Sequence, residues 1–240
     1  AYYELISPHY PTVRLDVLPE RTVTKLPKRA EIIHVCLRWG PDFMETVRRT
    51  IDRFLPDYVN IMSTVPPGTT ETIDSCAAHS TTRGLHPALR EHIRLTPKHI
   101  GGPKAKEIAD YFGCAIHEPS ILHANARTTE AAHILSNCLY GANILFAREM
   151  DQLCRAWGVD YYETVMRYSE SHNVGYKNMG MVSKFRPIIH PPGPVISGHC
   201  ITNNARIVPE SMRGPIMAAL AADGSPQKEP TVRAQRRPRL

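Results

Sequence analysis

The sequence has no long hydrophobic run: no stretch approaches the roughly 18 consecutive apolar residues that suggest a membrane-spanning helix. It opens without the charged and then apolar segments of a signal peptide. It has no CxxC pair and no tight His/Cys cluster, and its cysteines are scattered at positions 36, 76, 114, 138, 154 and 200. This spacing argues against a disulfide framework and a structural zinc site. We therefore expect a cytoplasmic protein with reduced thiols, no membrane span and no bound metal.

The fraction of charged residues is ordinary, but the charges are distributed unevenly along the sequence. Charged residues make up 22% and hydrophobic residues 42% of the 240 residues, which is typical of a globular protein. The net charge is +6, and part of the excess lies in a tail, residues 223–240, that we predict to be disordered. A basic tail can contact phosphates, but a solvated end is the commoner case. We expect no nucleic-acid partner.

The first half alternates between strand and helix patterns. The patterns predict strands over 13–17, 31–37, 58–63, 95–102 and 114–116, and helices over 43–55, 70–76 and 103–112. Strands separated by helices at this spacing indicate an α/β fold with a parallel sheet. Ligands of such sheets bind beyond the carboxyl ends of the strands, where the loops 39–42 and 63–70 are expected.

The second half is dominated by one long helical pattern over 129–157. It carries two neighbouring apolar stripes, which indicate burial on more than one side. Gly141 is its one internal break, and Gly158 follows its end as a C-cap. Further helices are predicted from Asp160 to about residue 169 and over 212–222, with a polar loop over 171–181.

A Pro/Gly-rich loop over 191–201 contains Cys200. Backbone freedom at Gly193 and Gly198 lets a main chain approach a ligand closely. A thiol in such a loop is a nucleophile if a neighbour lowers its pKa, and otherwise it is a structural cysteine on a turn.

Three of these segments carry a family resemblance. Residues 63–70, Ser-Thr-Val-Pro-Pro-Gly-Thr-Thr, resemble an S-T-V-P-x-G-T-T turn. Residues 129–149 resemble a long central helix with an E-x-x-K-x-x-x-N signature and a later N-E. Residues 192–201 resemble a P-G-x-G-x-G-G-H-C-I nucleophile loop. In this order and spacing the chain resembles the nucleotide-sugar 6-dehydrogenases, the UDP-glucose/GDP-mannose dehydrogenase family.

The resemblance implies an oxidoreductase that converts a sugar C6 alcohol to a carboxylate in two NAD-dependent steps, through a thiohemiacetal and a thioester on the cysteine. It implies an incomplete Rossmann-type parallel sheet that binds NAD or NADP (1–127), followed by a helical region with one long central helix and the cysteine loop (128–222). The implied partners are a nucleotide sugar or related alcohol and a second copy of the chain, in a homodimer formed through 129–157.

The sequence departs from the family pattern at several points. The G-x-G-x-x-G loop and the C-terminal substrate domain are not found, so that 13–17 is expected to be the second strand of the sheet. His133 replaces the helix lysine, and Asn204 replaces the aspartate that follows the cysteine. The family's S-P-E-R segment aligns with 117–120, so that its glutamate meets Pro119.

The resemblance assigns three sets of candidate residues. The catalytic candidates are Cys200, Asn137, His133, Thr64 and Asn204. The cofactor-binding candidates are Asp16, Ser63, Thr64, Pro66 and Gly68. The substrate-binding candidates are Arg83, His86, Lys98, Arg186 and His199. Two hypotheses follow: an active NAD(P)-dependent dehydrogenase, or a catalytically degenerate relative that binds a nucleotide or serves as an assembly partner.

Overall fold

The computed structural model describes residues 1–16, 22, 25–85, 87–190, 193, 196 and 199–223, apart from the side chain of His199. The chain forms two compact units, 1–134 and 135–240. Within the described ranges no helix is long and apolar enough to cross a membrane. The domain boundary expected at 127/128 stays a prediction, and so does the disorder of residues 224–240, which lie outside the described ranges.

The first unit is a five-stranded sheet with helices. Its elements are α1 (Tyr2–Ile6), β1 (Ile32–Val35), α2 (Phe43–Phe54), β2 (Tyr58–Ile61), β3 (Ala77–Ser80), α3 (Leu89–Leu95), β4 (His99–Gly101), α4 (Ala105–Phe112), β5 (Ile121–His123) and the start of α5 (Ala126–Trp157).

The strands lie in sequence order, β1-β2-β3-β4-β5. The first three are parallel, β4 is antiparallel to β3, and β5 is parallel to β4. The mostly parallel α/β fold is therefore confirmed, with a correction at the third pairing. The connection over 81–98 begins and ends at the same end of the sheet, so β4 runs in the opposite direction to β3. At this end the Thr81 N–H donates to the His99 carbonyl.

Each face of the sheet has its own core. On one face, α2 buries Phe43 and Val47 against strand residues that include Val59 and Ile61. On the other face, α1, α3 and α4 pack on β3 and β4 around Ile100. The adjacent residues Ala77 and Ala78 of β3 belong to opposite cores, as the alternation of a strand requires.

Several predicted elements of the first unit are wrong. Residues 13–16 form no strand, and Val17 lies outside the described ranges. The helix expected over 70–76 is only a 3-10 turn, Thr70–Thr72, and the strand expected at 114–116 lies instead at 121–123. Strand β3 was missed because its sequence, Ala-Ala-His-Ser, is fully buried although half of it is polar. Its hydrophobic periodicity therefore gave no signal.

The second unit is helical. The long helix is confirmed: α5 has 32 residues and begins three residues before the predicted start, capped by the Asn125 side chain, which accepts the Thr128 N–H at 2.9 Å. A π-helical turn (Tyr162–Met166) leads into α6 (Arg167–Asn178), so most of the loop predicted over 171–181 is helix. Two further helices follow, α7 (His199–Ile207) and α8 (Pro215–Asp223). Asp223, expected in the tail, ends α8.

Gly141 lets α7 and α8 approach α5 closely. A Cβ atom at this position would lie 2.5 Å from Cγ2 of Ile201 and 2.8 Å from Cδ2 of Leu220. We expect Gly141→Ala to lower the free energy of unfolding by about 1–3 kcal/mol through overpacking. Gly175→Ala on α6, where a Cβ meets no atom within 4 Å, is the matched control and should be stabilising by about 0.5–1 kcal/mol. Urea denaturation measures both; equal effects of the two variants would contradict this packing.

Candidate functional site

The turn over 63–70 follows β2 at the carboxyl ends of the parallel strands, as predicted. Ser63 is buried and donates its hydroxyl to the Val35 carbonyl at 3.2 Å. The carbonyl of Pro66 accepts both the N–H and the hydroxyl of Thr69, at 3.1 and 2.7 Å. Gly68 has a φ of +98°, which favours glycine. The four candidate residues of this segment thus lie in one ordered turn.

The N–H groups of this turn bind a side chain of the protein itself. Glu130, at the start of α5 and 1% exposed, accepts the Gly68 N–H with one carboxylate oxygen and the Thr70 N–H with the other, the latter at 2.8 Å. The N–H groups of Gly68 and Thr70 therefore already have an acceptor within the chain. Sequence reasoning missed this role, although Glu130 is the first residue of the E-x-x-K-x-x-x-N signature, because its partners lie some 60 positions away.

Thr64 and His133 form a hydrogen-bonded pair. The Thr64 hydroxyl lies 3.1 Å from Nε2 of His133, which stands where the family has lysine. Burial, and then the positive charges of Arg83 and Lys98, lower the pKa of His133. The imidazole is therefore neutral at pH 7 and can accept a proton, which a protonated lysine cannot.

A second histidine forms hydrogen bonds to both the turn and α5. His79, 1% exposed, has Nε2 3.3 Å from the Ser63 carbonyl and Nδ1 2.8 Å from the Thr129 hydroxyl. Because a carbonyl only accepts, Nε2 carries the proton and Nδ1 accepts from Thr129. Burial is the main cause that lowers the pKa of His79 to about 3. The pKa of His34 is also lowered to about 3, mainly by burial.

These histidines predict an acid-sensitive fold. Below its unfolded pKa of about 6.5, His79 takes up a proton in the unfolded chain but stays neutral in the folded one. Stability is therefore complete above about pH 6.5 and is lost as the pH falls toward 3. At pH 5 we expect a loss of about 2 kcal/mol from His79 alone, with His34 acting in the same direction. Urea denaturation at pH 7 and 5 measures this loss, which His79→Gln should reduce; an unchanged loss would refute the assignment.

Lys98, a substrate-binding candidate, lies inside the first unit. It is 3% exposed and donates to the Tyr2 hydroxyl at 2.8 Å and to the Thr81 carbonyl at 3.1 Å. Its ammonium group also lies over the rings of Tyr2 and Phe112. Burial lowers its pKa to about 7. These contacts link α1 to the sheet, whereas Arg83, three residues after the end of β3, is exposed.

The remaining candidates of the first unit are less well supported. Asp16 is part-buried and exchanges two hydrogen bonds with the Thr22 hydroxyl through its backbone, but it does not end a strand. Its proposed contact with a ribose therefore loses its structural basis and stays a prediction from the resemblance. Pro119 lies in the exposed loop before β5. His86 lies outside the described ranges.

In the second unit, the cysteine lies on the first turn of α7. Cys200 is exposed, and Asn204, one helical turn later, is 2% exposed. Among the described residues, Nδ2 of Asn204 has no hydrogen-bond partner. Asn137 is half-buried on α5. Arg186 is exposed, and its backbone pairs with the Asn173 side chain at 2.8 and 2.9 Å. An amide N–H₂ group is one of the donors that can stabilise a developing oxyanion.

The sheet, the turn after β2 and the long helix define an α/β protein of the Rossmann type with a helical region. Residues 127–217 match the model of the UDP-glucose/GDP-mannose dehydrogenase family, central domain. Over these residues the chain resembles the central domain of this family.

Similar proteins agree with that resemblance. The chain is 28% identical over 174 residues to the UDP-N-acetyl-D-mannosamine dehydrogenase of Pyrococcus horikoshii, covering 66% of this chain and 38% of that protein. It is 26% identical over 200 residues to the NDP-N-acetyl-D-galactosaminuronic acid dehydrogenase of Ralstonia nicotianae, covering 71% and 44%. The structure of the P. horikoshii UDP-D-ManNAc dehydrogenase has the same fold, with a TM-score of 0.65 at 20% identity over 79% of this chain and 49% of that one. The chain thus spans less than half the length of these relatives.

Proposed function

We propose that this chain takes part in the NAD(P)-dependent oxidation of a nucleotide sugar, with Cys200 as the nucleophile. The observation that carries the proposal is the placement of Cys200: an exposed thiol on the first turn of α7, one turn before the buried Asn204, whose Nδ2 has no hydrogen-bond partner among the described residues. The match of 127–217 to the family's central domain supports it, and so do relatives named as dehydrogenases of UDP-N-acetyl-D-mannosamine.

The proposed role of Cys200 is covalent. Its thiolate adds to the carbon of a C6 aldehyde and forms a thiohemiacetal. Loss of a hydride from that carbon gives a thioester, which water cleaves to the carboxylate and the free thiol. The Asn204 amide donates to the oxygen that becomes negative in the addition and in the hydrolysis, where a family aspartate would instead accept.

The turn after β2 fits the nicotinamide end of NAD(P) better than it fits the diphosphate. The turn at the carboxyl ends of β1 and β2 presents the half-buried Thr64 hydroxyl, which suits the nicotinamide end. It does not suit the diphosphate, because Glu130 binds the N–H groups of Gly68 and Thr70. A bound NAD(P) would supply the hydride acceptor. Within the chain, neutral His133 would take a proton through Thr64. The joint action of Cys200, Asn137 and His133 stays a prediction from the resemblance.

The activity is tested with a panel of NAD, NADP and UDP-linked N-acetylhexosamines. We expect a thermal shift with one cofactor and one nucleotide sugar, and reduced cofactor formed at two equivalents per sugar oxidised to the acid. Binding of the nucleotide sugar without any turnover would instead favour the degenerate relative. The panel is run on this chain and on the full open reading frame that contains it.

We also propose a homodimer formed through 129–157. On the part of α5 in the second unit, large apolar side chains are exposed at spacings of four and seven residues, namely Leu135 (55%), Leu139 (67%), Phe146 (59%), Leu153 (47%) and Trp157 (69%). This repeat places them along one side of the helix, as expected for a surface that pairs with another copy.

Lysine substitutions on this apolar surface are expected to dissociate the dimer and so to lower its measured mass. Leu139→Lys with Phe146→Lys should convert a dimer into a monomer at micromolar concentration, as measured by light scattering after size exclusion. Leu95→Lys, which replaces a 54% exposed leucine on α3, is the control and should leave the dimer intact. A monomeric parent chain would refute the proposal.

A further inference from the structure

An ion pair joins α5 to the end of α8. Nη1 and Nη2 of Arg148 lie 2.8 and 3.1 Å from the two carboxylate oxygens of Asp223. The two side chains are only 17% and 14% exposed. This is the bidentate geometry in which guanidinium and carboxylate bind most strongly.

Both partners also bind the segment that precedes Cys200. Arg148 donates from Nε to the Gly193 carbonyl at 3.1 Å. The Asp223 carboxylate accepts the N–H of Ile196 at 2.8 Å, and the Ile196 side chain is 7% exposed. One ion pair therefore attaches two points of this segment to two helices, and the second attachment lies four residues before the cysteine.

The charges of the pair strengthen these attachments. The pKa of Asp223 is lowered, first by the hydrogen bond from Arg148 and also by the Ile196 N–H. The carboxylate stays ionised at neutral pH, and hydrogen bonds to an ionised group are stronger than neutral ones. Arg148 stands at the position where the family signature N-E has asparagine, so this arrangement belongs to this chain's own sequence.

We propose that Arg148 and Asp223 are positioning residues that fix the segment before α7 and thereby hold Cys200 in place. The inference rests on the proposed role of Cys200 and deepens it. Neither residue touches the thiol; they act by restraining Gly193 and Ile196. Without either partner, both attachments weaken, because the remaining charge loses the group that orients it.

Hydrogen–deuterium exchange and thiol alkylation test this proposal without any need for turnover. In Arg148→Ala and in Asp223→Ala, the Ile196 amide should exchange at least about tenfold faster. The rate at which iodoacetamide labels Cys200, followed by peptide mass spectrometry, should change at least threefold. Asp223→Glu, which keeps the carboxylate, should restore much of both. Arg155→Ala, which breaks the Asp151–Arg155 pair on the same helix, is the control and should change neither.

Amide exchange at Ile196, labelling of Cys200 and dehydrogenase activity test different parts of the proposal. Faster exchange at Ile196 with unchanged labelling of Cys200 would mean that the pair holds the segment but does not position the thiol, and the proposal would be overturned. Unchanged exchange would overturn it as well. If the alanine variants do not fold, Arg148→Lys is used instead. It keeps the positive charge without the bidentate guanidinium group and should change exchange at Ile196 and labelling of Cys200 by a smaller factor. Failure of the dehydrogenase assay alone would affect the proposed function and not these two measurements.

Discussion

Replacing Cys200 by alanine is expected to abolish formation of the sugar acid, by at least about a thousandfold, because it removes the thiol on which the proposed thioester forms. The fold should survive: the side chain is exposed, and such substitutions change the free energy of unfolding by about 0.5 kcal/mol or less. The measurements are the absorbance of the reduced cofactor and urea denaturation of the same preparation.

A second exposed cysteine supplies the control. Cys114→Ala removes a thiol from the first unit and should leave both activity and stability unchanged. Persistent formation of the acid by the Cys200→Ala variant would contradict the thioester mechanism. Formation of an aldehyde alone by that variant would agree with it, since the first oxidation does not need the thiol.

Replacing Glu130 is expected to have the largest effect on stability. Its two carboxylate oxygens accept the Gly68 and Thr70 N–H groups at a site that is 1% exposed. Glu130→Ala leaves two N–H groups without acceptors, which costs about 3 kcal/mol or more, and it also releases the turn that carries Thr64. Urea denaturation measures the first effect.

A surface glutamate on another helical segment gives the comparison. Glu163 is 56% exposed and pairs with Arg167 at 2.7 Å, so Glu163→Ala should cost about 0.5 kcal/mol or less. A similarly small effect of Glu130→Ala would contradict the buried contact with the turn.

Local patterns in the sequence predicted the local structure. Helix α5 was found because its apolar residues recur with the helical period without a proline. The turn after β2 was found because glycine and prolines follow a strand pattern. Strand β3 was missed because His79 and Ser80 look like loop residues, although their polar groups are satisfied by Thr129 and Asn60.

The sequence could not show contacts between distant segments. The substrate contact of Lys98 stays a prediction, because the buried ammonium group donates to the partly buried Tyr2, which lies 96 positions away. The acceptor of the Gly68 and Thr70 N–H groups, Glu130, lies 62 and 60 positions away from them in sequence. The ion pair of Arg148 with Asp223 spans 75 positions, and no periodicity or motif connects such residues.

The most direct test of the account is the covalent state of Cys200 during oxidation. The protein is mixed with NAD or NADP and the nucleotide sugar that shifts its melting temperature, quenched in acid and digested, and the peptide containing Cys200 is weighed by mass spectrometry. We expect a peptide heavier by the acyl group of the sugar, absent when the cofactor is left out and absent in Cys200→Ala. Reduced cofactor formed with no adduct, and at an equal rate in Cys200→Ala, would contradict it.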